Sequence, residues 1–402
     1  MGSDAKESSA SQQSVRLCYI YSAPLPSGSP SAVQVMRMCE GFAQIGCRPL
    51  LLARGTDSVQ ASSEALRSLF DYYGIRDPFD VLLMPLRRLR KWGIAMGVVS
   101  SILFAWCAVR KAMSIKPAVL YTRDIYTAWL AAERGLRVVF EEHAQPKRRI
   151  HEWMRRRLLR SGNTLGIVFI SHALEACYKA SALFGDGQAR TLVAHDAAAT
   201  SQVRPVHDAT KVDGRRLVIG YVGSFLPGRG IELILSLAAR LPHLQFRLIG
   251  GTLEQIRGPS PRAIPANVEC CGFVEPGKVS ALFDGMDILL MPYQVHTTTH
   301  GGVVSTQWMS PLKMFEYMAS GVPLIASDLP VLREVLVPEC NGLLVAPDDV
   351  GAWAQAIQRL AGDCELRQRL AASARADVVR KYNWSVRAKT IVEQLAPHLA
   401  TP

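Results

Sequence analysis

Lys313 and Glu316 stand three residues apart in SPLKMFEYMASG, the stretch from Ser310 to Gly321. Ser310 suits an N-cap, Pro311 the first helical position and Gly321 the position just past the end, so these boundary residues predict a helix of about ten residues. In its first turn Lys313 opposes the positive end of the helix dipole, at a cost of up to ~1 kcal/mol. The lysine makes sense if an anion occupies that terminus, because the ammonium and the free backbone N–H groups of the turn that Ser310, Pro311 and Leu312 open, the proline having none, then act on it together. Phosphate fits that description. Glu316 shares the lysine's face and could accept hydrogen bonds from sugar hydroxyls, although the pair alone would also serve as a surface salt bridge.

A second cation stands in GYVGSFLPGRGIELIL, Gly220 to Leu235, which reads as a strand, a glycine-bearing turn and an apolar-periodic helix. Gly223 allows a ligand to approach the backbone, and Arg229 could clamp phosphate oxygens bidentately, though the glycines could equally serve turn geometry. The segment does not match G-x-G-x-x-G, so a dinucleotide site is poorly supported. In FEEHAQP, His143 follows a strand and is either structural or functional. His296 and His300 are spaced as metal ligands on a helix, but QVHTTTHGG reads as a loop, and no metal is expected.

The elements that must position these residues form two series. Short apolar runs at Val15 to Ser22, Pro49 to Ala53, Asp80 to Leu86, Ala118 to Thr122, Arg137 to Glu141 and Gly166 to Ser171 are separated by helix-length segments. A second series runs from Leu217 to Gly223 through Gln245 to Gly250, Val268 to Phe273, Asp287 to Tyr293, Pro323 to Ser327 and Gly342 to Ala346. Two doubly wound α/β domains with parallel sheets follow, as the length of 402 residues also suggests. The polar stretch Val203 to Arg215 reads as the linker. The predicted division is a loose tail over 1–14, a first domain over 15–205, a second over 206–375, and a C-terminal helix over 376–402 that packs back on the first. A cleft between the carboxyl ends of the two sheets is the expected binding place.

With those motifs in place, the chain from Val15 onward resembles retaining glycosyltransferase family 4, whose members have the GT-B fold of two facing Rossmann-like domains. The family pattern V-G-x-x-x-x-x-[KR]-G is matched by Val222 to Gly230, with Arg229 where the donor diphosphate is bound and Ser224 after the first glycine. SPLKMFEYMASGVPLIASD matches a variant of the E-x7-E region: the resemblance places Glu316 on the nucleotide ribose and Lys313 at the phosphates. It also implies that His143 reaches the donor sugar, that Gly28 and Ser29 in PSGSPS face the phosphates or acceptor, that Ser171 is the strand-end serine, and that backbone near Gly272 and Phe273 contacts the base. The chain departs from the pattern at Trp308, where the first glutamate would stand. The implied reaction moves a sugar from a nucleoside-diphosphate sugar to a glycan or lipid-linked acceptor with retention, without cofactor or metal. A sugar-nucleotide epimerase and a non-catalytic binding protein are the alternatives.

The net charge of +12 calls for an anionic partner. Nucleic acid is not expected, for no recognition motif or interleaved stacking aromatics accompany the basic runs. Trp92 to Val109 carries no charge over eighteen residues and is flanked by basic clusters; its place between two strands favours a buried or membrane-lying crossover helix over a span. PKRRIHEWMRRRLLR, from Pro146 to Arg160, is a basic helix that is either solvated or set against anionic lipid. The nine scattered cysteines fit reduced thiols, with Cys270 and Cys271 expected as buried structural residues. With no apolar run in the first fourteen residues, a cytoplasmic location is expected, with peripheral attachment to the inner membrane face.

Overall fold

The computed structural model describes residues 16–55, 63–85, 94–146, 148–181, 189–206, 215–257, 263–295 and 306–395. His296, His300, the 1–14 tail and most of the predicted linker lie outside them. Strands and helices alternate through the first domain: β1 (Arg16–Leu25), α1 (Pro30–Gln44), β2 (Arg48–Gly55), α2 (Ser63–Tyr73), β3 (Asp80–Met84), α3 (Ile94–Ile115), β4 (Val119–Thr122), α4 (Ile125–Glu133), β5 (Val138–Glu142), α5 (Arg149–Arg160), β6 (Thr164–Phe169), α6 (His172–Ala180) and β7 (Arg190–Val193). These strands pair in parallel in the order β3-β2-β1-β4-β5-β6-β7. The apolar runs predict all of them except β7, a half-exposed edge strand whose sequence RTLV opens on two polar residues.

The second domain contains β8 (Val218–Val222), α7 (Ile231–Arg240), β9 (Gln245–Ile249), α8 (Leu253–Arg257), β10 (Val268–Cys270), β11 (Ile288–Met291), α9 (Leu312–Ala319), β12 (Leu324–Ser327), β13 (Leu343–Val345), α10 (Val350–Gly362) and α11 (Cys364–Arg380), and α12 (Trp384–Leu395) follows it. Its parallel sheet runs β10-β9-β8-β11-β12-β13. Central strands such as β4, β5, β8 and β11 are buried along their whole length, as expected where helices cover both faces of a sheet. Strand order reverses between β1 and β4 and again between β8 and β11, and each reversal opens a crevice at the carboxyl edge.

Three sequence expectations need correction. The helix after Ser310 has eight residues, with Pro311 at the N-cap, because the Ser310 hydroxyl is engaged elsewhere. β10 ends at Cys270, which leaves Phe273 in a loop and 64% exposed. Cys270 and Cys271 are half-buried and exposed respectively, since β10 is an edge strand with little above it; all nine cysteines are free.

Helix α12 leaves the second domain and lies on α1. Its Trp384, Ala388, Ile391 and Leu395 join the apolar core that α1 forms with the first sheet. The two helices touch through backbone: a Cβ at Gly41 would come within 2.5 Å of the Trp384 carbonyl oxygen. The domains also meet where Gly74, just after α2, faces Gly277; a Cβ at Gly277 would lie 2.7 Å from the Gly74 nitrogen. Glu334 of the second domain accepts hydrogen bonds from the His172 and Ala173 amides at 2.7 and 2.8 Å, placing a carboxylate at the positive end of α6.

Candidate functional site

The lysine of α9 is held beneath the first turn after β8. The Tyr317 hydroxyl takes the Val222 N–H at 2.7 Å and donates to the Val222 carbonyl at 3.2 Å, which fixes the register of the helix against the strand. Lys313, about one turn earlier, then points its ammonium at Gly223, where a Cβ would clash with both Nζ and Cε. Gly223 has φ +154, a conformation that side chains rarely adopt, so backbone and close approach both require glycine.

Nζ of Lys313 is shut off from solvent and has no hydrogen-bond partner. It lies 3.8 Å from the centre of the Tyr221 ring and 5.3 Å from that of Tyr293. Arg229, in the loop before α7, puts its guanidinium 4.8 Å from the centre of the Tyr293 ring, and its Nε is likewise buried without a partner. Aromatic faces stabilise a cation without using its N–H donors. Two adjacent cations therefore keep donors unspent at the β8–β11 crevice, in the arrangement that an anion with several oxygens would complete. Burial, and then the positive charge of Arg229, hold the lysine well below its ordinary pKa, with Glu316 opposing the shift. Burial raises the Glu316 carboxyl; Gln202, hydrogen-bonded to it, and the charges of Arg37 and Lys313 pull it back. The plain surface salt bridge is not what forms, for the lysine's donors stay free.

The other predicted residues are distributed around this pair. Ser224 is half-buried, and its carbonyl receives the Tyr221 hydroxyl at 2.9 Å. Gly272, at φ +71, passes its carbonyl to the Gly250 amide at 2.7 Å. Phe273 reaches across to the first domain, its ring 3.2 Å from where a Cβ of Gly28 would be. Ser29 is the N-cap of α1 and accepts from the Ala32 amide. Leu312 opens α9, and Ser310 before it takes the Asp196 amide at 2.8 Å. Ser171 caps α6 and donates to the Trp308 carbonyl at 2.8 Å. The segment entering α9 is thereby tied to the ends of β6 and β7, so the helix N-terminus faces the carboxyl edge of the first sheet.

His143 sits on that edge, just after β5. Its Nε2 lies 2.7 Å from the Glu141 carboxylate. An ionised carboxylate can only accept, so Nε2 carries the proton and Nδ1 keeps the lone pair that a hydroxyl can use. Burial, with help from the Arg123 charge, lowers the histidine pKa to about 4, so the ring is neutral near pH 7. Glu141 is fully buried and also meets Gln34, Tyr121 and, at 3.2 Å, Arg387 of α12. The Arg387 charge and the His143 and Tyr121 hydrogen bonds overcome burial and keep this carboxyl well below its usual range.

Sequence reasoning missed Tyr221, Tyr293, Glu141, Asp196 and Arg387. Two adjacent glutamates inside the apolar run VVFEEH were an available signal, since buried carboxylates need partners; Glu141 finds Arg387 and Glu142 finds Arg155. Asp196 is 5% exposed, one carboxyl oxygen lacks a partner, and burial raises its pKa to about 7. A carboxyl with a raised folded-state pKa binds its proton more tightly when folded, so stability falls as pH rises from about 4 to about 7. Asp196→Asn is expected to flatten that slope, a gain on the order of 2–4 kcal/mol at pH 7 by urea unfolding, with little change at pH 4.

Trp308, where the resemblance expects a glutamate, is buried among the apolar residues on the α3–α6 side of the first sheet. That position is used to anchor the two domains together. Among the described residues no cluster of three His, Cys, Asp or Glu side chains is placed to hold a metal ion.

Residues 216–363, which contain both cations and their rings, match the model of the family described as Glycosyl transferases group 1. That match spans the second domain alone, while the chain as a whole has the GT-B arrangement of two facing parallel-sheet domains. A phosphatidyl-myo-inositol mannosyltransferase from Mycobacterium tuberculosis is 33% identical over 180 residues, 41% of this chain and 43% of the relative. The chain spans less than half the length of the curated relatives it matches. Similar solved structures cover far more: sucrose-phosphate synthase from Thermosynechococcus elongatus gives a TM-score of 0.68 at 17% identity over 96% of this chain and 100% of the other. HepE from Anabaena, in complex with UDP-glucose, gives 0.63 at 15% identity over 95% of this chain and 99% of the other. At those identities the likeness of this chain to the two structures is one of fold.

Proposed function

We propose that this protein is a retaining hexosyltransferase that moves a sugar from a nucleoside-diphosphate sugar to a glycan or lipid-linked acceptor in the synthesis of a cell-surface polysaccharide or glycoconjugate. The observation that carries the reading is the buried Lys313 ammonium with no partner, beside the similarly underused Arg229. Breaking the bond between sugar and diphosphate leaves negative charge on the departing phosphate, and preorganised donors in a site closed to water stabilise it. Arg229, Lys313 and the N-terminus of α9 supply that charge, so the reading requires no metal. Glu316 faces the ribose, the loop of Gly272 and Phe273 the base, and neutral His143 a donor-sugar hydroxyl. The acceptor attacks from the face the phosphate leaves, and the leaving phosphate takes its proton. No side-chain nucleophile is needed, in keeping with tryptophan at position 308.

The UDP-glucose complex of HepE supports a nucleotide-sugar donor, and the mannosyltransferase relative, by its name, supports a lipid acceptor. The reading also places the protein in the cytoplasm, at the inner face of the membrane. A thermal-shift screen against UDP-, GDP-, ADP- and TDP-sugars is expected to pick one base series, and Arg229→Ala to lose the shift without lowering the unliganded melting temperature. No stabilisation by any of the four, or an undiminished shift in the variant, overturns the reading. An epimerised donor formed without acceptor would instead identify an epimerase.

A further inference from the structure

The outward side of the α3–α5 layer carries the wrong residues for water. Helix α3 is long and apolar, yet only 33% of the stretch Met96–Ile115 is buried. Phe104, Ala105, Ala108, Val109 and Ala112 face the domain core. The opposite side exposes Met96, Val99, Ile102, Leu103 and Trp106, with Val99 53% and Leu103 48% accessible. Helix α3 crosses between two strands of one sheet, so it cannot span a bilayer without pulling that sheet apart.

On α5, Ile150 and Trp153 are exposed, and the Trp153 ring packs 5.5 Å from Trp129 of α4, the helix that lies against both α3 and α5. Basic groups border both apolar strips. Arg110 and Lys111 are exposed on α3, which contains no acidic residue, and Arg149, Arg156, Arg157 and Arg160 are exposed on α5. Arg110 lies 5.5 Å from the Trp106 ring centre and Arg157 5.7 Å from that of Trp153. The acids nearby are Glu152 on α5 and Glu133, which pairs with Arg157. Arg155 points inward to Glu142 and takes no part.

Exposed tryptophans each flanked by an arginine, with aliphatic side chains between, suit the boundary between headgroups and acyl chains. We propose that the outer face of α3 and α5 docks this protein onto the surface of an anionic phospholipid bilayer. Helices that follow parallel strands begin at the carboxyl edge of the sheet, so the exposed residues in the first turns of α3 and α5 border the cleft on the side of His143. The docked face thus brings the mouth of the cleft to the membrane. Docking stands on the surface itself; its purpose, offering a membrane-borne acceptor to the site, rests on the transfer reading above.

The test is flotation of the full chain with vesicles of phosphatidylcholine alone or doped with phosphatidylglycerol. The protein is expected to float with the anionic vesicles, to be released by salt, and to show tryptophan quenching by brominated lipid that falls when Trp106 and Trp153 are replaced by Phe. The double variants Leu103→Glu with Trp106→Glu, and Arg156→Glu with Arg157→Glu, are each expected to lower partitioning at least about tenfold. Both should keep the wild-type circular dichroism and nucleotide-sugar thermal shift, which separates failure of docking from failure of the transfer reading. Absence of flotation with either vesicle overturns the proposal, as does equal flotation of wild type and both variants. A wild-type dimer that the Leu103, Trp106 variant splits, with no flotation, assigns the face to self-association and also overturns it.

Discussion

Lys313→Met is expected to lower turnover on the order of a thousandfold and, in the same protein, to raise the stability of the unliganded fold. The first effect follows if the ammonium meets the leaving phosphate, since one preorganised donor is worth about 10²–10³ in rate. The second follows from its surroundings. A buried cation without a hydrogen-bond partner, next to a second cation, is destabilising until an anion arrives, and methionine fills a similar volume without the charge. A gain of about 1–3 kcal/mol by urea unfolding is expected. A structural lysine would behave oppositely, because its loss would cost stability.

The same residue sets a pH dependence. Its folded-state pKa is lowered, so between that value and the unfolded value of ~10.4 the unfolded chain binds more protons, and stability rises with pH across that interval. Lys313→Met should remove this rise. Binding of a nucleoside diphosphate in that interval should take up a proton, visible as a buffer-dependent calorimetric heat. An unchanged pH profile in the variant would refute the assignment.

Arg387→Met is expected to cost about 3–5 kcal/mol in urea unfolding at pH 7, because it strands the fully buried Glu141 as an unpaired charge. Arg387 also donates to the carbonyls of His195 at 2.8 Å and Ala194 at 3.1 Å, tying α12 to the end of β7. With a lowered folded-state pKa, Glu141 contributes stability that is present above its unfolded value of ~4.3 and is lost as pH falls through the folded value. Without the arginine that pKa rises, so the variant should lose less further stability than wild type on acidification below pH 4. Glu141 also orients His143, so turnover should fall along with stability. A loss below 1 kcal/mol, by contrast, would show that solvent reaches Glu141.

The parallel two-domain architecture was legible because strands buried on both faces must be continuous apolar runs and crossover helices must be amphipathic, and both patterns are local. Gly321 could be placed for the same reason: it has φ +74 just past α9, where a helix ends in the left-handed region. Ser310 was misread because a serine before a helix has two uses, capping it or accepting from elsewhere, and the choice depends on Asp196, distant in sequence. Edge strand β7 was missed because RTLV is half polar and half exposed, where a central short strand such as β11 is a continuous apolar run.

The order of residues alone puts a lysine in the first turn of α9, against the helix dipole, and Arg229 at a strand-to-helix loop. Whether those charges were neutralised by neighbours or left free was decided only in three dimensions, where Tyr221 and Tyr293 supply ring faces and no acceptor reaches Nζ. Likewise the glutamate pair after β5 was visible, but its partners Arg155 and Arg387 were not, because a buried charge is balanced by whatever the packing brings to it from another element. Helical and strand periods are set by neighbouring residues along the chain, whereas the free energy of a buried charge is set by the groups that fold around it.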